Sequence, residues 1–550
     1  MTFPNDIFAQ LEAAGNTLLL RELREAEVIP ASGSELMAMI WKARTFLAGK
    51  GLRKGDRVGL LAANSIRWVA MDLAIIAEGL IAVPLYARQA PAELVGMMKD
   101  CSPVLLCCGD ANLQDAIRQQ WAEAPPQYLF DEIFSTVVSA PLAGPTLKES
   151  DPVAILYTSG TSGEPKGVVL TAGNVGHILS CTSARLDILM NGRPGQDRMY
   201  QWAPLCFAAA WITLLTSLKR RSLVAMNTDL TKLAGEIRTV APDYFVNVPA
   251  LLERVRRAVD EQLWKAGGFP LLVYSHAKAA WMRKQERKTS LADRSWLALA
   301  RILIFPAIRK RMIGANLKAL ICGSAPLSIE TQQYFMMLGI PVLQVYGLTE
   351  TTAICTMDDP RQVEPGRVGP AIAGIEMKLA ENEEIVVRGP NVFAGYWNRP
   401  QETAKALRDG WFHTGDQGEV NNAAGNWRIV GRIKNLIILS SGHNIAPEPI
   451  EDELMRHLPD AQQVVVVGNG RGYLSAIVTG KVSEPQVQSA LDAVHATLPH
   501  YKQVRAFHIS SEPFSIENGL MTLNGKLKRD LIAARLKDQI EDMYRVKQAV

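Results

Sequence analysis

The sequence predicts an α/β fold with largely parallel sheets, divided into two or more domains. Three observations predict it. Strand-like and helix-like patterns alternate through residues 35–110, the arrangement that βαβ units require. At 550 residues the chain is too long for one ordinary hydrophobic core. Two apolar runs, Val153-Ala154-Ile155-Leu156-Tyr157 and Val168-Val169-Leu170, flank a segment dense in Gly, Ser and Thr, which reads as strand, tight loop, strand.

Taken in order, the chain opens on Met1-Thr2-Phe3-Pro4-Asn5-Asp6, which has neither a basic segment nor an apolar core and does not read as a signal peptide. Gly55-Asp56 marks a turn before a strand from Arg57 to Ala62, and Asn64 is placed to cap a helix running through Trp68 and Met71 to Glu78. The stretch from Trp68 to Tyr86 is the nearest approach to a membrane span, but Asp72 and Glu78 interrupt it. A buried helix and strand are expected there, and no transmembrane segment. Val104 to Cys108 reads as another buried strand. Charged residues at 21% and hydrophobic ones at 48% suit a soluble globular protein, and a net charge of +4 is too small for this length to argue for nucleic acid. The seven cysteines form no C-x-x-C pair, so zinc and thioredoxin-like readings lack support and a reducing compartment, the cytoplasm, is expected.

The loop after Tyr157 reads T-S-G-T-S-G-E-P-K-G. Gly160, Gly163 and Gly167 free the backbone to approach a ligand closely. Successive N–H groups can then form an anion-binding concavity, with Thr158, Ser159, Thr161 and Ser162 adding hydroxyls and Lys166 a full charge. The spacing is not that of a Walker A loop. A flexible Gly/Ser linker is the plain alternative, but linkers rarely sit between two apolar strands and carry Pro165-Lys166-Gly167. The segment resembles the phosphate loop of the adenylate-forming superfamily, which includes acyl-CoA synthetases, luciferases and peptide-synthetase adenylation domains. That resemblance implies a loop for the β- and γ-phosphates of ATP. It also implies an architecture: a large multi-subdomain α/β N-terminal domain over 1–433, with parallel-rich sheets and a small β-barrel-like part, and a small mobile α+β C-terminal domain over 434–550.

Further motifs follow along the chain. Ala203-Pro204-Leu205-Cys206-Phe207 is similar to a family motif near the acyl site, where relatives often carry His or another aromatic in place of Phe207. The run from Pro242 to Arg256 is similar to a segment of long-chain acyl-CoA synthetases, with Ala250 where Arg is usual. Lys278 to Arg311 holds ten Lys/Arg against Glu286 and Asp293, interleaved with Trp296, Leu297, Leu299, Ile302, Leu303 and Phe305. Three readings are open for it: a core-packed helix with a solvated basic face, a peripheral contact with the cytoplasmic face of a membrane, or docking of the CoA 3′-phosphate.

Leu320 to Cys322 reads as a strand ending in Gly323-Ser324-Ala325-Pro326, a turn that in the family lies against adenine. Val342-Leu343-Gln344-Val345 runs into Tyr346-Gly347-Leu348-Thr349-Glu350. Tyr346 offers a flat face for adenine, Thr349 a hydroxyl for the α-phosphate, and Glu350 a carboxylate for Mg²⁺, with Thr158 a second candidate for that ion. Gly395-Tyr396-Trp397-Asn398 follows, then Gly410 to Asp416, in which Asp416 suits the ribose hydroxyls and His413 reads as structural. The resemblance makes Gly431 to Asn435 the interdomain hinge, with Arg432 touching ribose or phosphate and Lys434 as pivot. It makes Gly442 and His443 part of a CoA channel and Lys526 the catalytic lysine, with Lys528 and Arg529 read as solvated.

Joining a carboxylate to an α-phosphate brings two anions together, so the site must neutralise charge and align the attack. The resemblance assigns that to Lys526 and Glu350-bound Mg²⁺. The expected reaction is activation of a medium- to long-chain fatty acid to acyl-AMP with ATP, then transfer to CoA. The alternatives are an acyl-AMP ligase that loads a carrier protein and a non-catalytic nucleotide- or lipid-binding protein. The joint presence of Lys526, Glu350, Asp416 and Lys166 weighs against the last.

Overall fold

The computed structural model of the chain describes residues 2–25, 27–138, 144–158, 165–192, 195–314, 316–421, 425–522 and 525–545. The phosphate-loop residues Ser159, Gly160, Thr161, Ser162 and Gly163 therefore lie outside the described residues. The chain divides into two compact units, the first comprising Met1–Met377, Val387–Phe412 and Asn422–Asn426, the second Lys378–Val386, His413–Asn421 and Trp427–Val550.

Two sheets carry the first unit. In one, the strand order is Gly395–Tyr396, Lys166–Thr171, Pro152–Thr158, Ile81–Leu85, Arg57–Leu61, Leu105–Cys108, Gln127–Leu129. The last five are mutually parallel and the first two antiparallel. Central strands such as Ile81–Leu85 and Leu105–Cys108 are buried at every position. That is the reason they read as unbroken apolar runs rather than alternating ones. In the other sheet the order is Thr356–Met357, Val342–Tyr346, Ala319–Cys322, Tyr244–Asn247, Arg198–Gln201, Leu223–Asn227, Leu18–Leu23, Val28–Ser32. Its six central strands are parallel, and both edges are antiparallel. The carboxyl ends of four of these strands therefore emerge along one edge. They carry the Ala203–Phe207 segment, the Val248-Pro249-Ala250 turn, the Gly323–Pro326 turn and the Tyr346–Glu350 segment. Ligands in open parallel sheets gather at such an edge.

The stretch from Trp68 to Tyr86 is indeed a buried helix, Ile66–Ala77, followed by the strand Ile81–Leu85, and among the described residues no helix is long and apolar enough to cross a membrane. The cap of that helix differs from expectation. Ser65, not Asn64, caps it, accepting from the Trp68 amide at 3.1 Å. Asn64 instead reaches across the fold, donating to the Ala203 carbonyl at 3.0 Å and accepting from the Leu205 amide at 2.9 Å. It thereby fixes the start of the Ala203–Phe207 segment.

Asp72 is buried within the same helix, and Trp211 Nε1 donates to its Oδ2 at 2.8 Å. Burial pushes this carboxyl up to about 7, with the Trp211 bond opposing. In an unfolded chain an Asp titrates near ~3.9. Between these values the folded state holds a proton that the unfolded state has lost, so Asp72's contribution to stability falls as pH rises from roughly 4 to 7. Asp72→Asn keeps an acceptor for Trp211. It is expected to be near neutral at about pH 4 and stabilising at about pH 8; equal shifts of the denaturant midpoint at both pH values would contradict this.

The second unit is built on the strands Ala461–Val467, Leu474–Gly480 and Val504–Ser510, the first pair antiparallel and the second parallel. Period-two alternation divides Val464 and Val466, which join one apolar cluster, from Val465, which joins another. The first cluster takes Ile450 and Leu454 from the helix Glu448–His457, and Val487, Ala490, Leu491 and Val494 from Glu484–His495. These spacings put one stripe of each helix on the sheet. Both helices carry a proline in the first turn, where its missing N–H costs little.

Candidate active site

Strand ends and glycines position the first unit's part of the site. Gly323 follows the strand Ala319–Cys322, and a Cβ there would lie 2.7 Å from Val345 Cγ2. Its lack of a side chain lets the turn press against the neighbouring strand, leaving Ser324, Ala325 and Pro326 exposed. Gly347 is tighter still: a Cβ would meet the Ala353 carbonyl oxygen at 2.2 Å and Ile354 Cα at 2.6 Å. The backbone folds back on itself here because Thr352 and Ala353 both adopt left-handed conformations, φ 52° and 81°. Such a pair costs of order 1–3 kcal/mol per residue and persists only when its surroundings hold it. Buried Asn391 does so. Its carbonyl accepts from Thr352 Oγ1 at 2.8 Å, and its Nδ2 donates to the Ile354 carbonyl at 3.2 Å. Tyr346 is largely buried, whereas Thr349 and Glu350 are partly exposed in the short turn Thr349–Thr351.

Glu350 is tied to the strand Lys166–Thr171, which follows the Gly/Ser/Thr segment. Tyr396 Oη donates to Glu350 Oε1 at 2.9 Å, and Tyr396 pairs with Val168 across an antiparallel ladder. The Phe393 amide donates to the Glu350 carbonyl at 2.9 Å. On the same hairpin Thr158 stands opposite Lys166. Lys166 Nζ lies 2.9 Å from Glu402 Oε2 and 5.3 Å from the centre of the Tyr396 ring. Lys166, followed by Lys405, holds the Glu402 carboxyl down at about 2. The entry strand is pinned as well, since Tyr157 Oη donates to Asp100 Oδ2 at 2.7 Å. A chain of contacts thus runs Glu402, Lys166, Tyr396, Glu350. Neither Tyr396 nor Asn391 was assigned a role from sequence. Tyr396 lay in a recognised run, but nothing local marks Asn391.

A single carboxylate at Glu350 suits a magnesium ion that shares its coordination with nucleotide phosphates, for Mg²⁺ commonly takes one or two carboxylates besides substrate oxygens. Among the described residues no group of three or more His, Cys, Asp or Glu forms a dedicated metal cage. Tyr396→Phe removes one hydrogen bond to that carboxylate. Roughly a tenfold rise in the Mg²⁺ concentration needed for half-maximal pyrophosphate release is expected, the scale for losing a bond to a charged group. An unchanged magnesium titration would contradict this role.

Phe207 ends the Ala203–Phe207 segment at the start of the helix Ala208–Lys219. It is partly buried, with its ring 5.8 Å from that of Tyr86.

The second unit gathers its own set. Asp416 is buried, and Arg432 Nε lies 2.7 Å from its Oδ1. The Asp416 amide donates to Thr414 Oγ1, which in turn donates to the Ile385 carbonyl. His413 is partnered by Glu384, with Nδ1 2.7 Å from Oε2. Lys434 lies in the short turn Ile433–Asn435. Burial, then the neighbouring Arg432 cation, holds its amine below the ordinary lysine value; Lys526 acts in the same direction, while Asp530 and Asp416 oppose. These five charged residues therefore form one electrostatic neighbourhood. Lys526 is exposed on a tight turn in which its amide donates to Thr522 Oγ1 at 3.0 Å and its carbonyl accepts from the Thr522 amide at 2.8 Å. Gly442 has φ 84° with open space around it, so its glycine serves conformation and not clearance. His443 stacks on Tyr501 at 4.3 Å and lies 2.9 Å from Ser441 Oγ. Arg529 is a correction to the solvated reading: it forms a two-pronged ion pair with buried Glu451, which also accepts from the Val466 amide. A buried carboxylate needs a charged partner, and Arg529 supplies it.

The fold, the parallel-strand edge and the glycine-dependent turns define an adenylate-forming type of enzyme. The chain belongs to the AMP-binding enzyme family, whose model matches residues 27–397, and the family's C-terminal domain matches residues 434–548. It is 28% identical to the long-chain-fatty-acid–CoA ligase FadD15 of Mycobacterium bovis, over 93% of this chain and 92% of that one. It is 25% identical to a chloroplastic long-chain-fatty-acid–[acyl-carrier-protein] ligase of Arabidopsis thaliana, over 90% of this chain and 80% of that one. Among solved structures, ATP-bound MatB from Rhodopseudomonas palustris shares the fold with a TM-score of 0.75 at 23% identity, covering 98% and 99% of the two chains.

Proposed function

We propose that the protein is a fatty-acid–CoA ligase of the AMP-forming type, cytoplasmic, acting on medium- to long-chain acids. The observation that carries this reading is the tie between Glu350 and the phosphate-loop strand through Tyr396, at the carboxyl edge of a parallel sheet. The similarity to long-chain ligases over nearly the whole chain supports the choice of acid.

In the first half-reaction a carboxylate oxygen of the acid attacks the α-phosphorus of ATP, and pyrophosphate leaves. Gly323–Pro326, Tyr346 and Gly347 would hold the adenine, Asp416 and Arg432 the ribose. Thr349 would meet the α-phosphate, and Thr158, Lys166 and the loop between them the departing pyrophosphate. Glu350 would hold Mg²⁺, which supplies charge neutralisation at the phosphates. Lys526 would bridge the two reacting anions, and Phe207 would line the acyl pocket. In the second half-reaction the CoA thiol loses its proton, its sulfur attacks the acyl carbon and AMP leaves. The domain 434–550 would turn about Lys434 between the two steps, bringing Gly442 and His443 to the thiol path.

The similarity to a carrier-protein ligase keeps a second acceptor in view. The purified chain, assayed with ATP, a graded series of acids from acetate to long-chain fatty acids, and either CoA or holo-carrier protein, separates these readings. Acid-dependent release of pyrophosphate with thioester formed on CoA is expected. Thioester on the carrier alone would replace CoA as acceptor. No pyrophosphate with any acid would overturn the proposal.

A further inference from the structure

We propose that Glu402 is a positioning residue that competes with the phosphates of the nucleotide for Lys166, and so sets how tightly ATP is held and how readily pyrophosphate leaves. The inference rests on the ligase reading, in which Lys166 meets the pyrophosphate end of ATP. Lys166 Nζ lies 2.9 Å from Glu402 Oε2, and Lys405 Nζ lies 2.9 Å from the other oxygen, Oε1. One carboxylate is thus shared by two lysines, one on each oxygen. Lys166 first and Lys405 second hold this carboxyl down at about 2, so it is an anion throughout the neutral range.

Both backbones are fixed, so only the side chains are left to move. Beside Lys166, a Cβ on Gly167 would lie 2.7 Å from Ile155 Cγ2 and 3.3 Å from Trp397 Cβ, and the Trp397 amide donates to the Gly167 carbonyl at 2.8 Å. Glu402 stands in the helix Pro400–Ala406. The next residue, Thr403, accepts from the Tyr396 amide at 2.9 Å, and its Cγ2 would lie 2.8 Å from a Cβ on Gly395. Gly395 and Tyr396 in turn pair with Val169 and Val168, on the strand that begins at Lys166. The same ladder therefore brings amine and carboxylate to each other.

Charge decides what this pairing is for. A carboxylate needs one cation to balance it, and Lys405 already supplies one from a side chain that is 74% exposed. Lys166 is the more enclosed of the two lysines, 21% exposed, and its amine stands 5.3 Å from the centre of the Tyr396 ring, whose hydroxyl donates to Glu350. The amine that faces the site is thus held by a carboxylate with another cation to rely on. When polyphosphate arrives, Lys166 can turn to it without leaving Glu402 unpaired. Glu402 is itself 35% exposed, so water reaches the oxygen that the amine leaves. Once pyrophosphate has formed, the same carboxylate draws the amine back and loosens the product. A charge-assisted bond to Glu402 is therefore an opponent of nucleotide binding, not a support for it.

The test is calorimetric titration of the full chain with Mg·ATP in the absence of any acid, so that no reaction follows. Glu402→Gln keeps the shape and removes the charge. It should bind about threefold tighter than the parent at an unchanged melting temperature, since only the fraction whose amine is free of this partly exposed ion pair is competent to bind. The inhibition constant of pyrophosphate in thioester formation should fall by a similar factor. Glu402→Asp, one methylene shorter, should move both constants the same way by less. In a Lys166→Gln background, Glu402→Gln should change neither, because the amine it competes for is gone. Weaker or unchanged binding in Glu402→Gln would make the carboxylate a fixed anchor for Lys166 and overturn the proposal. An equal gain in the Lys166→Gln background would also overturn it, as plain repulsion of the nucleotide. Those outcomes leave the ligase reading standing, whereas a parent chain that binds no Mg·ATP overturns both.

Discussion

Replacing Lys526 with alanine is expected to lower acyl-adenylate formation by at least ~10²-fold while leaving thioester formation from supplied acyl-adenylate near the parent rate. The asymmetry follows from charge. Only the first half-reaction joins two anions, so only it needs an amine between them; the second has a neutral acyl carbon as its electrophile. Lys526 is suited to that service because a tight turn presents it to solvent and no strand holds it in a core. Lys434→Pro should act in the opposite sense. A ring that locks φ in the Ile433–Asn435 turn hinders rotation, so thioester formation should fall while ATP–pyrophosphate exchange persists. Single-turnover assays of the two half-reactions give both answers. Equal losses in both steps for Lys526→Ala would remove it from the chemistry, and equal losses for Lys434→Pro would remove it from the hinge.

Gly347→Ala is expected to abolish most pyrophosphate release and to lower the melting temperature. The added methyl meets backbone atoms at 2.2 and 2.6 Å, and backbone cannot swing aside as a side-chain tip does. Relief requires moving the Thr352-Ala353 bend, and with it the turn that presents Glu350. Overpacking of this kind costs about 1–3 kcal/mol even where side chains yield. Gly96→Ala makes the matched control. It lies in the helix Pro91–Cys101 with open space around it, and about 0.5–1 kcal/mol of stabilisation is expected. A Gly347→Ala protein that melts and turns over like its parent would show that the bend is not needed.

What was legible in the sequence follows from what is local. Strands buried on both faces announce themselves as apolar runs, so the strands at 153–157, 168–170 and 342–346 were readable, and so was the buried helix and strand between Trp68 and Tyr86. Contiguous motifs such as Tyr346–Glu350 were readable for the same reason. Partners distant in the chain were not. Asn64 and Ser65 are both capable caps, and the choice between them was made by the Ala203 carbonyl and the Leu205 amide, far along the sequence. Arg529 looked like part of a solvated basic cluster because its carboxylate partner, Glu451, stands on another element. Tyr396 and Asn391 act through contacts that appear only once the chain is folded.

The four loops at the edge of the eight-stranded sheet leave from four strands that pair in the order Arg198–Gln201, Tyr244–Asn247, Ala319–Cys322, Val342–Tyr346. The strand Tyr244–Asn247 thus stands between the one that leads to the Ala203–Phe207 loop and the ones that lead to Gly323 and Gly347. Under the roles proposed for these loops, the one facing the organic acid and those facing adenine are carried by non-adjacent strands, so a pocket remodelled for another acid is expected to keep its hold on the nucleotide.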